Sequence, residues 1–236
     1  VMAPTAVTES YLNIKERAAR KAGMTLEILR VENDATTEEV IQKVSIPGAD
    51  AVIVQLPLPS HVDTQAVLNA IPLEKDADVL SEAAYRRFEE GGILPPVVGA
   101  VDEIFKRNDV DVSGKSALVF GEGRLVGKPI AVWLKQQGAQ VAVHTKESNT
   151  VVDFEKADII VSGAGQPHFI KAQWLMPNSI LIDAGTSDLE GAIAGDMEPE
   201  CGDTAQIFTP VPGGVGPIAV ACLFKNVAEL VLKRKV

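Results

Sequence analysis

Three groups of residues in this sequence have types and spacing suited to chemistry. Gly121-Glu122-Gly123-Arg124-Leu125-Val126-Gly127 lies between an apolar run and a helical pattern, where glycines let a backbone approach a pyrophosphate at a helix N-terminus. Its third glycine falls one residue later than the usual dinucleotide fingerprint, so on its own the stretch serves equally well as a structural turn. Gly163-Ala164-Gly165 and Asp183-Ala184-Gly185 follow the next two apolar runs. Several small-residue turns at successive carboxyl ends of one sheet point to a ligand more strongly than one does. The third group is Tyr11 and Lys15, one turn apart on one helix face. A desolvated lysine can polarise a bound group or assist proton transfer, whereas an arbitrary helical lysine is a solvated charge like its neighbours Arg20 and Lys21.

Helical and extended patterns alternate along the chain, as in α/β proteins. A helix is expected over Glu9–Ala22, with Thr8 as N-cap and Gly23 as stop, and another over Thr37–Val44, opened by Thr37 with Glu38 and Glu39. Strands are expected at Thr25–Val31 and Ala51–Gln55. Two prolines in Leu56-Pro57-Leu58-Pro59 exclude helix and central pairing and leave a rigid extended segment at a carboxyl end of the sheet. Asp63–Ala70 reads as a helix, Ile71–Asp78 as a polar loop, and Gly91–Gly99 as an inter-domain turn before a helix through Lys106. A second α/β unit follows, with strands at Ser116–Phe120, Gln140–His144, Ile159–Ser162 and Ser179–Asp183 and a helix at Pro129–Gln137. A Gly- and Pro-dense loop, Thr209–Pro217, leads into a last helix from Ile218 to about Lys233.

Composition narrows the class. With 236 residues, 46% hydrophobic and 23% charged, the chain can bury the core of one or two soluble domains. A net charge of -10 without long single-sign runs disfavours nucleic acid or an anionic membrane as main partner. The two cysteines, Cys201 and Cys222, fit a reducing cytoplasm. No stretch reads as long and apolar enough to span a bilayer, and no metal site is expected.

The residues together resemble the bifunctional methylenetetrahydrofolate dehydrogenase/cyclohydrolase family through nearly the whole chain. Val54-Gln55-Leu56-Pro57-Leu58-Pro59 is similar to the family's VQLPLP, and Thr209-Pro210-Val211-Pro212-Gly213-Gly214-Val215-Gly216-Pro217 to its TPVPGGVGP. Supporting matches are the Tyr11/Lys15 helix, Lys75-Asp76-Ala77-Asp78, Gly127-Lys128-Pro129, His144-Thr145-Lys146 and Gly195-Asp196. The resemblance implies an N-terminal α/β catalytic and folate-binding domain over residues 1–108 and a Rossmann-like NAD(P)-binding domain over 109–217. The implied helix 218–236 packs back on the first domain, and a cleft separates the two. Relatives carry a further helix and strand ahead of the Tyr11/Lys15 helix, so a longer N-terminus is expected.

The activity implied is oxidation of 5,10-methylenetetrahydrofolate with NADP or NAD and hydrolysis of the methenyl product to 10-formyltetrahydrofolate. On the resemblance Lys15 faces the one-carbon unit, Tyr11 borders the ring system, Gln55 orients Lys15 or the folate, and Asp78 anchors the pterin. Leu56, Pro57 and the Pro212-Gly213-Gly214-Val215-Gly216-Pro217 wall complete the substrate site. Gly121, Glu122, Gly123, Arg124, Leu125, Val126, Thr145, Gly163, Ala164, Gly165 and Thr186 are the expected cofactor contacts. Family members have Asp-Gly where this chain has Asp78-Val79, and Val79 is expected to refuse positive φ. Pro95-Pro96-Val97-Val98 stands for the family's PCTP, and Ile218-Ala219 for its Met-Thr. NADP-using relatives have arginine where this chain has Glu122, whose carboxylate would repel a 2′-phosphate and so favours NAD. A homodimer through the Rossmann domains is also implied.

Three alternatives stand beside this reading. The short-chain dehydrogenases also use Tyr-x-x-x-Lys, but there the motif follows the cofactor loop, and here it precedes Gly121. A monofunctional dehydrogenase or cyclohydrolase would keep the fold and lose one activity. A folate- or nucleotide-binding module without catalysis would keep both ligand sites and turn over neither.

Overall fold

The computed structural model describes residues 1–46, 48–148, 152–189 and 191–234. The chain divides into two compact units, Val1–Pro96 with Val220–Val236, and Val97–Ala219, in keeping with the expected two-domain α/β architecture.

The first unit is built from α1 (Ala6–Lys21), α2 (Thr37–Val44), α3 (Thr64–Asn69), α4 (Glu82–Glu89) and the part of the last helix from Val220 onward. Helix α1 starts three residues earlier than expected because Thr5, not Thr8, is the extended N-cap; its side chain accepts from Thr8 N at 3.2 Å. In α2 the cap is Thr36, whose hydroxyl accepts from Glu39 N while the Glu39 carboxylate accepts from Thr36 N, a reciprocal pair that satisfies two orphan donors. The strands expected at Thr25–Val31 and Ala51–Gln55 are extended but form no ladder. The first exchanges hydrogen bonds with Val1 through Leu29 O and Val31 N, and the second touches 75–76 through one bridge at Val52. A strand needs repeated pairing along an edge, and each segment finds only one or two bonds. The core gathers Val40, Val44, Val54, Val67, Leu68 and Ile71 around Met2.

The second unit holds every named strand among the described residues. A parallel sheet runs β2 (Gln140–His144), β1 (Ser116–Phe120), β3 (Ile159–Ser162), β4 (Ile180–Asp183), β7 (Ile207–Thr209). A short antiparallel pair, β5 (Ser187–Leu189) with β6 (Ala192–Ala194), escaped the sequence reading, as did β7. Helices α5 (Pro96–Arg107) and α6 (Gly127–Gln136) belong to this unit. Helix α5, read from sequence as the end of the first domain, clusters with the second. Strands β3 and β4 are buried along their whole length, as expected for a parallel sheet covered on both faces, and each fully buried Ile or Val there contributes about 1.5–3 kcal/mol.

Helix α7 (Val215–Arg234) begins inside the segment expected to be loop, with Gly216 and Pro217 in its first turn. By length and composition this helix is apolar enough to cross a membrane, contrary to the sequence reading. Its apolar residues have a partner within the first unit: Val220 and Phe224 pack on Ala19, and Leu223 and Leu230 on Ala77.

Candidate active site

In the first unit three of the expected residues come together. Helix α1 buries Leu12 and Ala19 and turns Lys15 toward the 51–56 segment. There Lys15 Nζ donates to Gln55 Oε1 at 3.0 Å, and Gln55 Nε2 donates to Leu56 O at 3.1 Å, which fixes which end of the amide faces the lysine. The Val52 bridge lays the same segment beside the loop that carries Asp78. Burial pushes the Asp78 carboxyl up to about 6, the positive charge of Lys15 pulls against that, and the neighbouring Asp76 carboxylate adds to it. Tyr11 is half-buried one turn before Lys15, and Pro57 is exposed after a cis Leu56-Pro57 peptide.

Two residues that sequence reasoning missed hold the Asp78 loop. The Asp76 carboxylate, 2% exposed, accepts from Leu80 N with both oxygens at 3.1 Å and from Ser81 N at 2.8 Å. The buried Asn226 of α7 donates to Ala77 O and Leu94 O, each at 2.9 Å. A polar residue amid the apolar run of α7 was its available signal. Val79 sits at φ +58, so the expectation that it refuses a left-handed backbone is overturned. The Asp76 bonds on one side and the burial of Val79 itself on the other over-determine the turn, and such settings sustain about 1–3 kcal/mol of strain.

In the second unit the chain leaves β1 for β2 on one side and then crosses to β3 on the other. That reversal falls at the carboxyl ends of β1 and β3, the place where open α/β sheets bind ligands. The loops expected to hold the cofactor meet there. Gly121 is at φ +91, and a Cβ on it would lie 2.8 Å from Gly163 O. Gly127, which opens α6, passes so close to Gly121 O that a Cβ would lie 2.0 Å from it. A Cβ at Gly123 or Gly165, by contrast, would meet nothing within 4 Å, so bare backbone faces open space. Val126 gives α6 no side-chain cap; in its first turn Lys128 N donates to Gly123 O at 3.1 Å and Pro129 carries no N–H. Glu122, Gly123, Arg124 and Leu125 are exposed, Gly163 and Ala164 half-buried. Thr145 follows β2, its N–H donating to Ser148 Oγ at 2.9 Å; Thr186 is exposed after β4.

The Pro212–Pro217 segment follows β7. Its Val211-Pro212 peptide is cis, Gly213 is at φ +108, and Gly214 N donates to Pro210 O at 2.8 Å, so close that a Cβ there would lie 2.6 Å from that oxygen. Pro212, Gly213, Gly216 and Pro217 are exposed and Val215 is buried. Among the described residues no group of His, Cys, Asp and Glu is arranged to hold a metal ion.

Two family models match the chain. Residues 2–78 match the catalytic domain of tetrahydrofolate dehydrogenase/cyclohydrolase, and residues 95–235 its NAD(P)-binding domain. The chain belongs to the tetrahydrofolate dehydrogenase/cyclohydrolase family. A bifunctional FolD protein of Thermus thermophilus is 34% identical over 233 residues, covering 96% of this chain and 83% of that one. That of Brevibacillus brevis is 35% identical, with the same coverage. Among solved structures, the bifunctional FolD enzyme of Campylobacter jejuni is similar with a TM-score of 0.92 and 27% identity over 99% of this chain and 86% of that one. The Trypanosoma brucei FolD, solved with NADP and an inhibitor, gives 0.91 and 30% over 99% and 85%. The NAD-dependent dehydrogenase of Saccharomyces cerevisiae shares the fold at 0.83 with 16% identity. A nicotinamide cofactor follows from membership of the family.

Proposed function

We propose that this chain oxidises 5,10-methylenetetrahydrofolate to the methenyl form and hydrolyses that product to 10-formyltetrahydrofolate, with Lys15, Gln55 and Asp78 as the working residues of the folate side. The observation that carries this reading is the Lys15–Gln55 hydrogen bond beside a half-buried Asp78 whose carboxyl is pushed up by desolvation. A carboxylate in that setting can accept two hydrogen bonds from the amino-pyrimidinone edge of a pterin, which replaces the water it has lost. Tyr11, Leu56 and Pro57 border the substrate rings; in the second unit Pro212, Gly213, Gly216 and Pro217 offer an exposed surface to a ligand.

The nicotinamide group, when bound, accepts a hydride from the carbon that bridges N5 and N10. Gly121, Glu122, Gly123, Arg124, Leu125 and Val126 hold its phosphates at the start of α6, with Thr145, Gly163, Ala164, Gly165 and Thr186 around them. The open space at Gly123 and Gly165 fits that role. The methenyl carbon left behind is cationic. Lys15, held by Gln55, orients the incoming water and moves its proton as the N–C bond opens. Glu122 directly after Gly121 places a carboxylate where a 2′-phosphate would lie, and this favours NAD. We further read the chain as a cytoplasmic homodimer joined through the second unit. Its use of only two cysteines fits a reducing compartment, and light scattering tests the dimer.

The decisive experiment follows reduced nicotinamide and methenyl absorbance together, with methylenetetrahydrofolate and either NAD or NADP. Reduced cofactor without methenyl accumulation supports both activities. Hydrolysis of added methenyltetrahydrofolate without cofactor reduction leaves a cyclohydrolase alone, and silence in both assays leaves a binding module.

A further inference from the structure

The Gly195-Asp196 motif has no part in the chemistry above, yet Asp196 is fully buried and its side chain makes four hydrogen bonds. Its Oδ2 accepts from Ser162 Oγ at 2.6 Å, Ala164 N at 2.8 Å and Gly165 N at 3.3 Å; its Oδ1 accepts from Gln166 N at 2.8 Å. These donors are the whole inner side of the turn after β3. Behind Asp196 sits a second buried carboxylate, Asp183, at the end of β4 and 1% exposed. Its Oδ1 accepts from Gly185 N at 3.0 Å and Asp196 N at 3.1 Å, and its Oδ2 from Met197 N at 2.8 Å.

Two glycines make room for the pair. A Cβ at Gly185 would lie 2.1 Å from Asp196 Cγ, and one at Gly195 would lie 2.2 Å from Asp183 Oδ2. Every partner named here is neutral, and burying two carboxylates without a cation is unfavourable for stability. Burial pushes Asp183 up to about 6 against the pull of its three backbone donors, with Asp196 adding to the rise. An apolar pair of similar volume would leave those backbone N–H groups without acceptors, so the carboxylates set the paths of the turns that donate to them.

We infer that Asp196 is a positioning residue for the nucleotide site, with Asp183 as its support: its carboxylate takes up the N–H groups of Ala164, Gly165 and Gln166 and fixes the turn after β3 against the Gly121–Val126 loop. The two turns touch at Gly121 and Gly163, where a Cβ on Gly163 would lie 2.3 Å from Val126 Cγ1, so any drift of one displaces the other. A division of labour follows. With its N–H groups bound inward, the 163–166 turn meets the nucleotide through carbonyls and bare Cα surface, and binding of the phosphates falls to the 121–127 loop.

This inference rests on the proposed dehydrogenase activity, and the test separates the two. Asp196→Asn turns an amide NH2 toward backbone donors, and Ser162→Ala removes one donor. For each we would measure NAD and NADP dissociation constants, KM and kcat of the dehydrogenase, and hydrolysis of added methenyltetrahydrofolate, which consumes no nucleotide. Asp196→Asn is expected to raise the nucleotide KM and Kd at least about tenfold, and Ser162→Ala about threefold, because Asp196 then keeps its three backbone donors and the nucleotide feels only part of the lost bond. Hydrolysis should stay within about twofold, a split that general loosening of the fold would not give. Unchanged nucleotide KM, or parallel loss of both activities, overturns the inference; if Asp196→Asn does not fold, Ser162→Ala carries the same split. Wild-type protein that binds nucleotide without reducing it sinks the dehydrogenase reading while the Kd comparison still tests Asp196. Wild-type protein that binds neither nucleotide overturns both.

Discussion

Asp78→Asn should make the protein more stable and less able to hold its substrate, and the first effect should depend on pH in a defined sense. The folded-state carboxyl is raised from 3.8 to about 6. An acid raised on folding favours the folded state while it is protonated. Its contribution is therefore fully present below pH 3.8 and is lost as pH rises through about 6. At pH 8 the ionised group costs up to about 3 kcal/mol relative to the unfolded chain, at 1.36 kcal/mol per pH unit. Asparagine keeps the shape and removes the charge, so the variant should match wild type near pH 3.5 and gain up to about 3 kcal/mol by pH 8. Asp183, raised in both proteins alike, cancels in the difference. Urea unfolding followed by far-ultraviolet circular dichroism at half-unit pH intervals gives the curve. A difference that is flat with pH, or that shrinks as pH rises, refutes the electrostatic account of this site. In the same variant the folate KM should rise about 10–100-fold, the loss of one to two charge-assisted hydrogen bonds.

Lys15→Ala should slow hydrolysis about 10²–10⁴-fold, the usual worth of positioned proton transfer, so that methenyl absorbance accumulates while nicotinamide is still reduced; equal loss of both steps would remove Lys15 from the hydrolytic role. Asn226→Ala leaves Ala77 O and Leu94 O unpaired and should cost about 2–3 kcal/mol, read as a lower unfolding midpoint. Both Val79→Gly and Val79→Ala lose the packing of the buried side chain, but glycine relieves the φ of +58 while alanine keeps part of that strain. Glycine should therefore be the more stable of the two by about 1 kcal/mol, the reverse of their usual order, and a calorimetric ranking with alanine above glycine would contradict it.

The second unit was more legible than the first. Its strands are continuous apolar runs such as Ile159-Ile160-Val161, bounded by glycine turns, and a parallel sheet buried on both faces demands that pattern. In the first unit Thr25–Val31 and Ala51–Gln55 carry strand-like residues, but a ladder is a property of neighbours, and sequence pattern does not count neighbours. The cap at Thr36 lay one residue from the expected position, inside the ordinary spread of helix ends, and the cap at Thr5 lay three residues before Thr8, outside it. Lys15, Gln55 and Asp78 were found because motifs carry them. Asp76, Asp183 and Asp196 also lie in motifs that the sequence shows, but they hold mainly backbone N–H groups, and which ones depends on the path of a loop rather than on residue spacing. Val79 misled for a related reason: steric preference is a local rule, and the Asp76 bonds around it override that rule.

The first unit is assembled from two stretches of chain, and this has a consequence for biosynthesis. Asn226 and the Ala77 carbonyl that it grips lie 149 residues apart. At about 5–20 residues per second on the ribosome, that interval is roughly 7–30 s. Throughout it the nascent 76–78 loop has no Asn226 or Leu223 to close over it, while the whole second unit is being made. A chain halted before Val220 would expose Ala19 and Ala77, which α7 otherwise covers, and so would be a natural client for chaperones that bind apolar surface.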